Sequence, residues 1–206
     1  MNPAPTCGLC PRLATFRSRN AASYPDHHNA PVASFGAASA RLLIVGLAPG
    51  LHGANRTGRP FTGDAAGALL YPTLIAHGFA EGRFDARPDD GLIPRDCRIT
   101  NAVRCVPPGN KPTGAEIATC NRFLAAEIAA MPRLRVVLAL GSIAHQAVLR
   151  ALGITAARHP FGHGARHEIG AVTLFDSYHC SRLNTNTGRL TEQMFSDIFQ
   201  MIREEF

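Results

Sequence analysis

The stretch GLAPGLHGANRTGRPFTGDAAG, residues 46–67, decides the fold because it joins a predicted strand to a predicted helix. The preceding residues 41–45 (RLLIV) are apolar and rich in β-branched side chains, which is typical of a buried strand. A helical pattern begins at Ala65, and Asp64 stands where an N-cap belongs. Long strand-to-helix loops carry ligand sites in α/β proteins. We therefore expect residues 46–64 to begin a ligand pocket.

The rest of the chain repeats this order of strand, polar loop and helix. Further strands are predicted over residues 98–103, 135–140 and 171–178, and a helical pattern follows each of them. Four such units predict an α/β protein of three layers, α/β/α, with a central four-stranded parallel sheet. The segment between the third helix and the fourth strand, residues 153–170, is expected to be a loop. Its three histidines stand among glycines that disfavour a helix, so we do not expect a metal site there.

The loops that follow the four strands are expected to meet in one cleft. Right-handed crossovers place the carboxyl ends of parallel strands on the same edge of a sheet. The loop 46–64 would therefore face Asn101, the Gly141 turn and His179, each at a strand end. Glycine amides, the Phe61 ring, an amide and a histidine suit a ligand with phosphates and a flat ring. The chain has no GxGxxG or GK[ST] motif, which disfavours dinucleotides and nucleoside triphosphates.

Length and composition limit the classes of protein. The chain has 206 residues, of which 46% are hydrophobic and 17% charged, enough to bury the core of one domain. No apolar run is long enough to cross a membrane, and the first residues do not resemble a signal peptide. We expect a cytoplasmic, monomeric protein in which residues 1–206 form a single domain, with residues 1–40 as an irregular arm.

The charge is compatible with a polyanionic partner. The formal net charge is +6, from 21 basic and 15 acidic residues, and the excess is spread along the chain. A nucleic acid would suit this charge. The arginine and alanine content of a GC-rich genome would account for it equally well.

Six cysteines in a reducing compartment indicate a metal site or catalysis rather than disulfides. Cys7 and Cys10 form a CxxC pair, and Cys105 and Cys120 lie 15 positions apart in the middle of the chain. Four thiolates in this arrangement suit either zinc or an iron-sulfur cluster. The remaining two cysteines have no obvious role.

Three segments resemble the signature motifs of a known family. They are GLAPGLHGANRTGRPFTGD (46–64), TNAVRCVPPGNKP (100–112) and YHCSRLNTNTGRLTE (178–192). Together they are similar to the family-5, or type B, uracil-DNA glycosylases, which act in base excision repair. The resemblance extends to the N-terminal CxxC pair, to residues 24–36 and to residues 159–167. It implies hydrolysis of the N-glycosidic bond of uracil, and of hypoxanthine or other deaminated bases, in double-stranded DNA associated with the nucleoid.

The resemblance also implies roles for individual residues. A 4Fe-4S cluster would be held by Cys7, Cys10, Cys105 and Cys120. The base pocket would be lined by Gly46, Leu47 and Ala48. Phe61 would stack on the extruded base, the amide of Asn101 would pair with its edge, and His179 would donate a hydrogen bond to the base oxygen. The DNA-binding residues would be Asn55, Arg56, Arg59, Arg182, Asn184, Asn186 and Arg189.

The residue that positions water is the open question of the sequence. Many relatives carry an Asp or Asn in the first motif where this chain has Ala48, which cannot activate water. The resemblance offers Asp64 instead, although the same residue is the predicted helix N-cap. Two alternatives are retained: a non-catalytic module that binds damaged DNA and has a structural Fe-S or Zn site, and a family-4 glycosylase confined to uracil. Ala48 and the Asn-Arg-Thr-Gly sequence argue against family 4.

Overall fold

The computed structural model describes residues 2–206. Its strands are β1 (Leu42–Gly46), β2 (Ala80–Glu81), β3 (Ile93–Pro94), β4 (Cys97–Asn101), β5 (Val136–Leu140), β6 (Arg166–Ile169) and β7 (Val172–Ser177). Its α-helices are α1 (Pro11–Ser23), α2 (Ala54–Thr57), α3 (Ala65–Ala76), α4 (Gly114–Ala129), α5 (Ser142–Ala151), α6 (Arg182–Asn186) and α7 (Glu192–Arg203). Two short 3-10 helices cover Pro108–Asn110 and Ala156–Arg158.

The central sheet has five strands in the order β4-β1-β5-β7-β6. The first four run parallel, and β6 pairs with β7 in the antiparallel sense. The α/β class and the four parallel strands are confirmed, and the sheet has a fifth, antiparallel strand that was not predicted. The fifth strand comes from residues 166–169, where we predicted a loop. It forms a hairpin with β7 through a two-residue turn in which Gly170 has a φ of +60°.

The sheet is buried between two helical layers, as predicted. All five residues of β1 are buried, and successive side chains point to opposite faces. Leu42 and Ile44 pack in one apolar cluster with α3 and α7, and Leu43 and Val45 pack in another with α4 and α5. This double coverage explains why β1 and β5 are uninterrupted apolar runs.

The N-terminal arm is more ordered than the sequence indicated. Its helix α1 covers Pro11–Ser23 and begins directly after Cys10. Two hydrogen bonds join Phe35 to Ile99 of β4, and the Val32 amide donates to the carbonyl of Arg104 at 2.7 Å. These contacts bring the CxxC pair beside the loop that follows β4.

No helix within residues 2–206 combines the length and the apolar character that a membrane span requires.

Candidate active site

A cleft of about 630 Å³ lies at the carboxyl edge of the parallel strands. Its lining comes from the loops after β1, β4, β5 and β7, as the alternation of strands and helices predicted. Leu47 and Ala48 form part of this lining. A recess of about 30 Å³ adjoins the cleft and shares Ala48, Asp64 and His179 with it, and the further walls of the recess include Phe61 and Asn101. The structure therefore brings the predicted base-binding residues together.

Gly46 lies against two side chains of the recess, Phe61 and Asn101. It pairs in register with Asn101 on the neighbouring strand. A Cβ atom at Gly46 would lie 2.4 Å from Cζ of Phe61 and 2.5 Å from Oδ1 of Asn101. Only glycine leaves room for both groups. Asn101 is 4% exposed, and its side-chain amide takes part in none of the hydrogen bonds formed within residues 2–206. A side-chain amide that lines a recess and has no partner is available to a ligand.

The Phe61 ring is held in a fixed position by strained backbone. Its φ is +52°, which is rare for an aromatic residue. A Cβ atom at Gly67 would lie 1.8 Å from the Phe61 carbonyl oxygen, so this backbone is pressed against the first turn of α3. The ring lies 6.0 Å from the His179 ring at an interplanar angle of 29°. Strain that is maintained in this way is typical of a functional site.

The two carboxylate oxygens of Asp64 face different groups. Asp64 is the N-cap of α3, and its Oδ1 accepts a hydrogen bond from the Ala66 amide at 3.2 Å. Its Oδ2 lies beside two glycines of the first motif. A Cβ atom added at Gly53 would be 2.3 Å from Oδ2, and one added at Gly50 would be 3.3 Å from it. Asp64 also lines both the cleft and the recess. The capping prediction is confirmed, and capping leaves one carboxylate oxygen free.

His179 is half-buried at the end of β7. Burial lowers its pKa, and the nearby carboxylate of Asp64 opposes this shift only in part. The imidazole is therefore neutral at neutral pH. A neutral ring offers one N–H donor without bringing a positive charge into the site. The amide of Asn184 donates to the His179 carbonyl oxygen at 2.8 Å and fixes the backbone at this point.

Two residues predicted to face DNA are buried instead. Arg59 is 5% exposed, and its two Nη atoms each donate to Asp90 at 2.8 Å. Asn55 is fully buried and donates to Oδ1 of Asn29 at 3.0 Å. We therefore remove Asn55 and Arg59 from the DNA-binding set, because neither side chain can reach a phosphate. Arg56, between them, is exposed.

The opposite rim of the cleft is formed by α6 and the turn after it. Arg182, Asn186 and Arg189 are exposed there. The Arg189 guanidinium lies 4.5 Å from the centre of the Tyr178 ring. The sequence analysis did not identify Leu183, which is 73% exposed and lines the cleft. A single apolar residue in the polar run SRLNTN was the available signal.

Lys111, which was also not assigned to the site, lines the cleft beside the loop after β4. It is the one lysine of the chain, and it follows directly after the asparagine of the PPGNK segment. Its position places a positive charge at a third point around the cleft.

The four predicted ligand cysteines surround one small cavity of about 20 Å³. Arg17 Nη1 donates to Sγ of Cys105 at 3.2 Å, and the Arg104 amide donates to Sγ of Cys120 at 3.4 Å. Burial raises the pKa of Cys105 to about 11 and also raises that of Cys120. Such thiols give up their protons to a cation that binds them. Two N–H donors already directed at sulfur fit a site for thiolates.

The remaining cysteines lie elsewhere. Cys97 and Cys180 are both buried in the apolar cluster that packs under α3 and α7. Burial raises the pKa of the Cys180 thiol to about 12, so it is protonated at neutral pH. Both behave as small apolar side chains.

Comparison with known proteins identifies the family. A family model described as the uracil DNA glycosylase superfamily matches residues 33–203. A type-5 uracil-DNA glycosylase of Thermus thermophilus is 46% identical over 198 residues, which cover 93% of this chain and 90% of the relative. The chain belongs to the type-5 uracil-DNA glycosylases. A type-5 uracil-DNA glycosylase of Pyrobaculum aerophilum is 42% identical over 199 residues, covering 94% of this chain and 86% of the relative.

The type-4 relatives match much less of this type-5 glycosylase. A type-4 uracil-DNA glycosylase of Pyrobaculum aerophilum is 35% identical over 113 residues, which cover 54% of this chain and 50% of the relative. The family predicted from the three motifs is thus confirmed, and the family-4 alternative is disfavoured. In this type-5 chain Ala48 brings no carboxylate to the cleft, so Asp64 is the acidic side chain that lines it.

Proposed function

We propose that this type-5 glycosylase removes uracil and other deaminated bases from double-stranded DNA, as the first step of base excision repair. The observation that carries the proposal is the recess in which the Phe61 ring, the unpaired amide of Asn101, Asp64 and His179 converge. A flat ring, an amide with a donor and an acceptor, and a neutral histidine match the needs of a pyrimidine.

The target nucleotide must leave the helix before it reaches this recess. Flipping costs a few kcal/mol and costs least for a mispaired base such as uracil opposite guanine. The recess as it stands has room for little more than a water molecule, so it must widen toward the adjoining cleft for the base to lie against Phe61. Stacking against Phe61 returns about 1 to 3 kcal/mol. Asn101 then pairs with the polar edge of the base.

Two side chains act on the glycosidic bond. In the transition state the sugar becomes oxocarbenium-like while the base departs with negative charge. His179, held neutral by burial, donates a hydrogen bond to the base oxygen and stabilises that charge. Backbone N–H groups within residues 46–50, other than at Pro49, share this task. The free Oδ2 of Asp64 orients the attacking water and lies where it can stabilise the developing positive charge on the sugar.

DNA is held by charges on both sides of the cleft. We assign the phosphate contacts to Arg56 on the side of β1 and to Arg182, Asn186 and Arg189 on the side of β7. Asn184 acts through the His179 carbonyl and positions the loop instead of holding DNA. The net charge of +6 favours the approach of a polyanion. We further propose that the protein works as a monomer on chromosomal DNA.

We assign a 4Fe-4S cluster to Cys7, Cys10, Cys105 and Cys120. A zinc ion with bonds of about 2.3 Å needs sulfur atoms about 3.8 Å apart. Within residues 2–206, one set of three potential metal ligands has all its ligand atoms within 4.8 Å of one another. This set is His145, His167 and Asp176, and it contains no cysteine. No three of the cysteine sulfurs are that close, which favours a larger group than one ion.

The cluster would stabilise the structure and take no part in the cleavage step. Cys7 and Cys10 come from the arm, whereas Cys105 and Cys120 come from the loop after β4 and from α4. Their common ligand would tie the arm of residues 1–40 to the rest of a single domain. Hydrolysis of a glycosidic bond transfers no electrons, so none is required from the cluster.

The test is excision under single-turnover conditions from duplexes that carry one modified base. Uracil and hypoxanthine, each opposite several bases, form the panel, and alkali reveals the abasic product. Binding of the same duplexes is measured in parallel. Tight binding with an intact strand under enzyme excess would refute the proposal and support the non-catalytic damaged-DNA-binding module.

A further inference from the structure

A buried polar network lies behind the cleft, between α5 and the hairpin of β6 and β7. His145 of α5 and Asp176 of β7 are 2% and 0% exposed. Nδ1 of His145 lies 2.8 Å from Oδ1 of Asp176, and its Nε2 lies 2.8 Å from the carbonyl oxygen of His159. Nε2 of His167 lies 3.2 Å from the other carboxylate oxygen of Asp176. The catalytic assignment above uses none of these groups.

The two hydrogen bonds of His145 in this network require two protons. A carbonyl oxygen only accepts hydrogen bonds, so Nε2 of His145 must carry a proton. Nδ1 faces a carboxylate oxygen at hydrogen-bonding distance, so a second proton must lie between His145 and Asp176. The pair is therefore either imidazolium with carboxylate or imidazole with carboxylic acid. Burial raises the pKa of Asp176, which favours retention of this proton. The other titratable groups that face the pair are His167 from β6 and His159.

The network fastens a segment that contributes Phe161 to the lining of the cleft. The segment, residues 159–165, is bound to His145 through the His159 carbonyl. At its other end, the Gly164 amide donates to the Asp176 carbonyl at 2.9 Å, and the Asp176 amide donates to the Ala165 carbonyl at 3.0 Å. The His145 side chain therefore holds one end of the segment, and the backbone of Asp176 holds the other.

The fastened segment carries side chains that support the DNA-binding rim. Phe161 lines the cleft and lies 5.7 Å from the His145 ring. His163 stacks on Tyr178 at 4.9 Å and accepts a hydrogen bond from the Tyr178 amide at 3.2 Å. The guanidinium of Arg189 in turn lies over the Tyr178 ring, 4.5 Å from its centre. A continuous set of contacts thus runs from the buried pair to the rim of the cleft.

We propose that His145 and Asp176 are a positioning pair that holds residues 159–165, and through Tyr178 the rim at Arg189, in the form that binds DNA. The pair touches no reacting atom, so it affects the affinity for DNA and not the rate of bond cleavage. The inference rests on the proposed function because it takes DNA as the ligand.

Two variants separate the two contacts of His145. In His145→Gln the side-chain amide reaches the position of Nε2 and keeps the bond to the His159 carbonyl. In His145→Asn it reaches the position of Nδ1 and keeps the bond to Asp176 only. Gln146→Ala, at the exposed next position of α5, is the control.

The expected results differ between the variants. His145→Asn should raise KM for a uracil-containing duplex about tenfold, since it loses the bond that fastens the segment. Its single-turnover rate at saturating DNA should equal that of wild type. His145→Gln should keep KM near that of wild type, because it retains the bond to the His159 carbonyl.

Several outcomes would overturn the inference. The first is an equal KM for the two His145 variants, and the second is a lower rate at saturating DNA with an unchanged KM. The third is a stoichiometric divalent metal on the purified wild-type protein that His167→Gln removes. Thermal unfolding checks that both variants fold. Binding of a duplex with an abasic site is measured beside excision. If wild type binds this duplex but excises no base, the proposed function fails while the affinities still test the positioning pair.

Discussion

Asp64 caps helix α3 through Oδ1, which accepts from the Ala66 amide at 3.2 Å, and leaves Oδ2 directed at the glycines of the first motif. Structural and chemical roles for one carboxylate are therefore compatible. A substitution that keeps the helix cap but removes the negative charge therefore separates the structural role of Asp64 from its chemical role.

The first prediction concerns Asp64→Asn. Because Asn caps helices as well as Asp does, we expect the free energy of unfolding to stay within about 0.5 kcal/mol of wild type. Single-turnover excision should fall by about 100-fold to 10,000-fold, because an amide does not take a proton from water. Asp64→Ala is the control, since it should lose excision and also about 1 kcal/mol of stability. Excision by Asp64→Asn at the wild-type rate would mean that the residue is only a cap.

The second prediction concerns Gly46→Ala. The added Cβ would lie 2.4 Å from Cζ of Phe61 and 2.5 Å from Oδ1 of Asn101, so one of these side chains must move. We expect about 1 to 3 kcal/mol of destabilisation from overpacking, together with a large loss of excision. Gly114→Ala, where a Cβ meets nothing within 4 Å, should leave both quantities unchanged. Normal excision by Gly46→Ala would show that the recess does not hold the base edge.

The residues of the cleft show which parts of the site could be predicted from the sequence. Gly46, Asn101 and His179 were expected to converge because parallel strands share one carboxyl edge, and that rule needs only the order of elements. The burial of Arg59 was not predictable in the same way. It depends on Asp90, a partner 31 positions away in a loop without regular structure. Strand β6 was missed because its four residues, RHEI, contain one fully buried side chain and so show little apolar pattern.

The third prediction compares two arginines of the same loop. Arg59→Ala leaves the buried carboxylate of Asp90 without its partner, and we expect a loss of about 3 to 5 kcal/mol in the free energy of unfolding. Arg56→Ala should leave stability unchanged and weaken DNA binding, with a smaller dependence of affinity on salt. Urea unfolding and salt titrations of DNA binding provide the measurements. A stable Arg59→Ala protein with weakened DNA binding would restore Arg59 to the DNA-binding set.

The same ion pair predicts how stability depends on pH. The bidentate guanidinium of Arg59 holds the pKa of Asp90 well below its usual range. The folded pKa is thus below the unfolded value of about 3.9, so the contribution is complete above that pH and is lost as the pH falls. Urea unfolding of wild type should show this acid loss. Asp90→Asn should be less stable at neutral pH and have a flatter profile below about pH 4. Parallel profiles would contradict the assignment.

The fourth prediction concerns Arg17 and the cysteine site. Its Nη1 donates to Sγ of Cys105 at 3.2 Å, and its Nη2 donates to the Cys7 carbonyl at 2.9 Å. A positive charge and an N–H donor at sulfur favour the reduced form of a cluster. Arg17→Gln should therefore lower the reduction potential and speed the loss of visible absorbance in the presence of a chelator. Arg19→Gln, on an exposed position of α1, is the control. An unchanged potential in Arg17→Gln would refute this role.

The fifth prediction concerns Leu183, whose side chain is 73% exposed at the rim of the cleft beside Arg182. An exposed apolar residue among arginines is suited to enter the base stack and fill the space that a flipped nucleotide leaves. Flipping costs more for a paired uracil than for a mispaired one. Leu183→Ala should therefore slow excision of uracil opposite adenine more than excision of uracil opposite guanine, with single-stranded DNA least affected. Gln193→Ala, exposed on α7 and not part of the cleft lining, is the control and should show no such order. Equal slowing on all three substrates would mean that Leu183 contributes general contact area and does not replace the base.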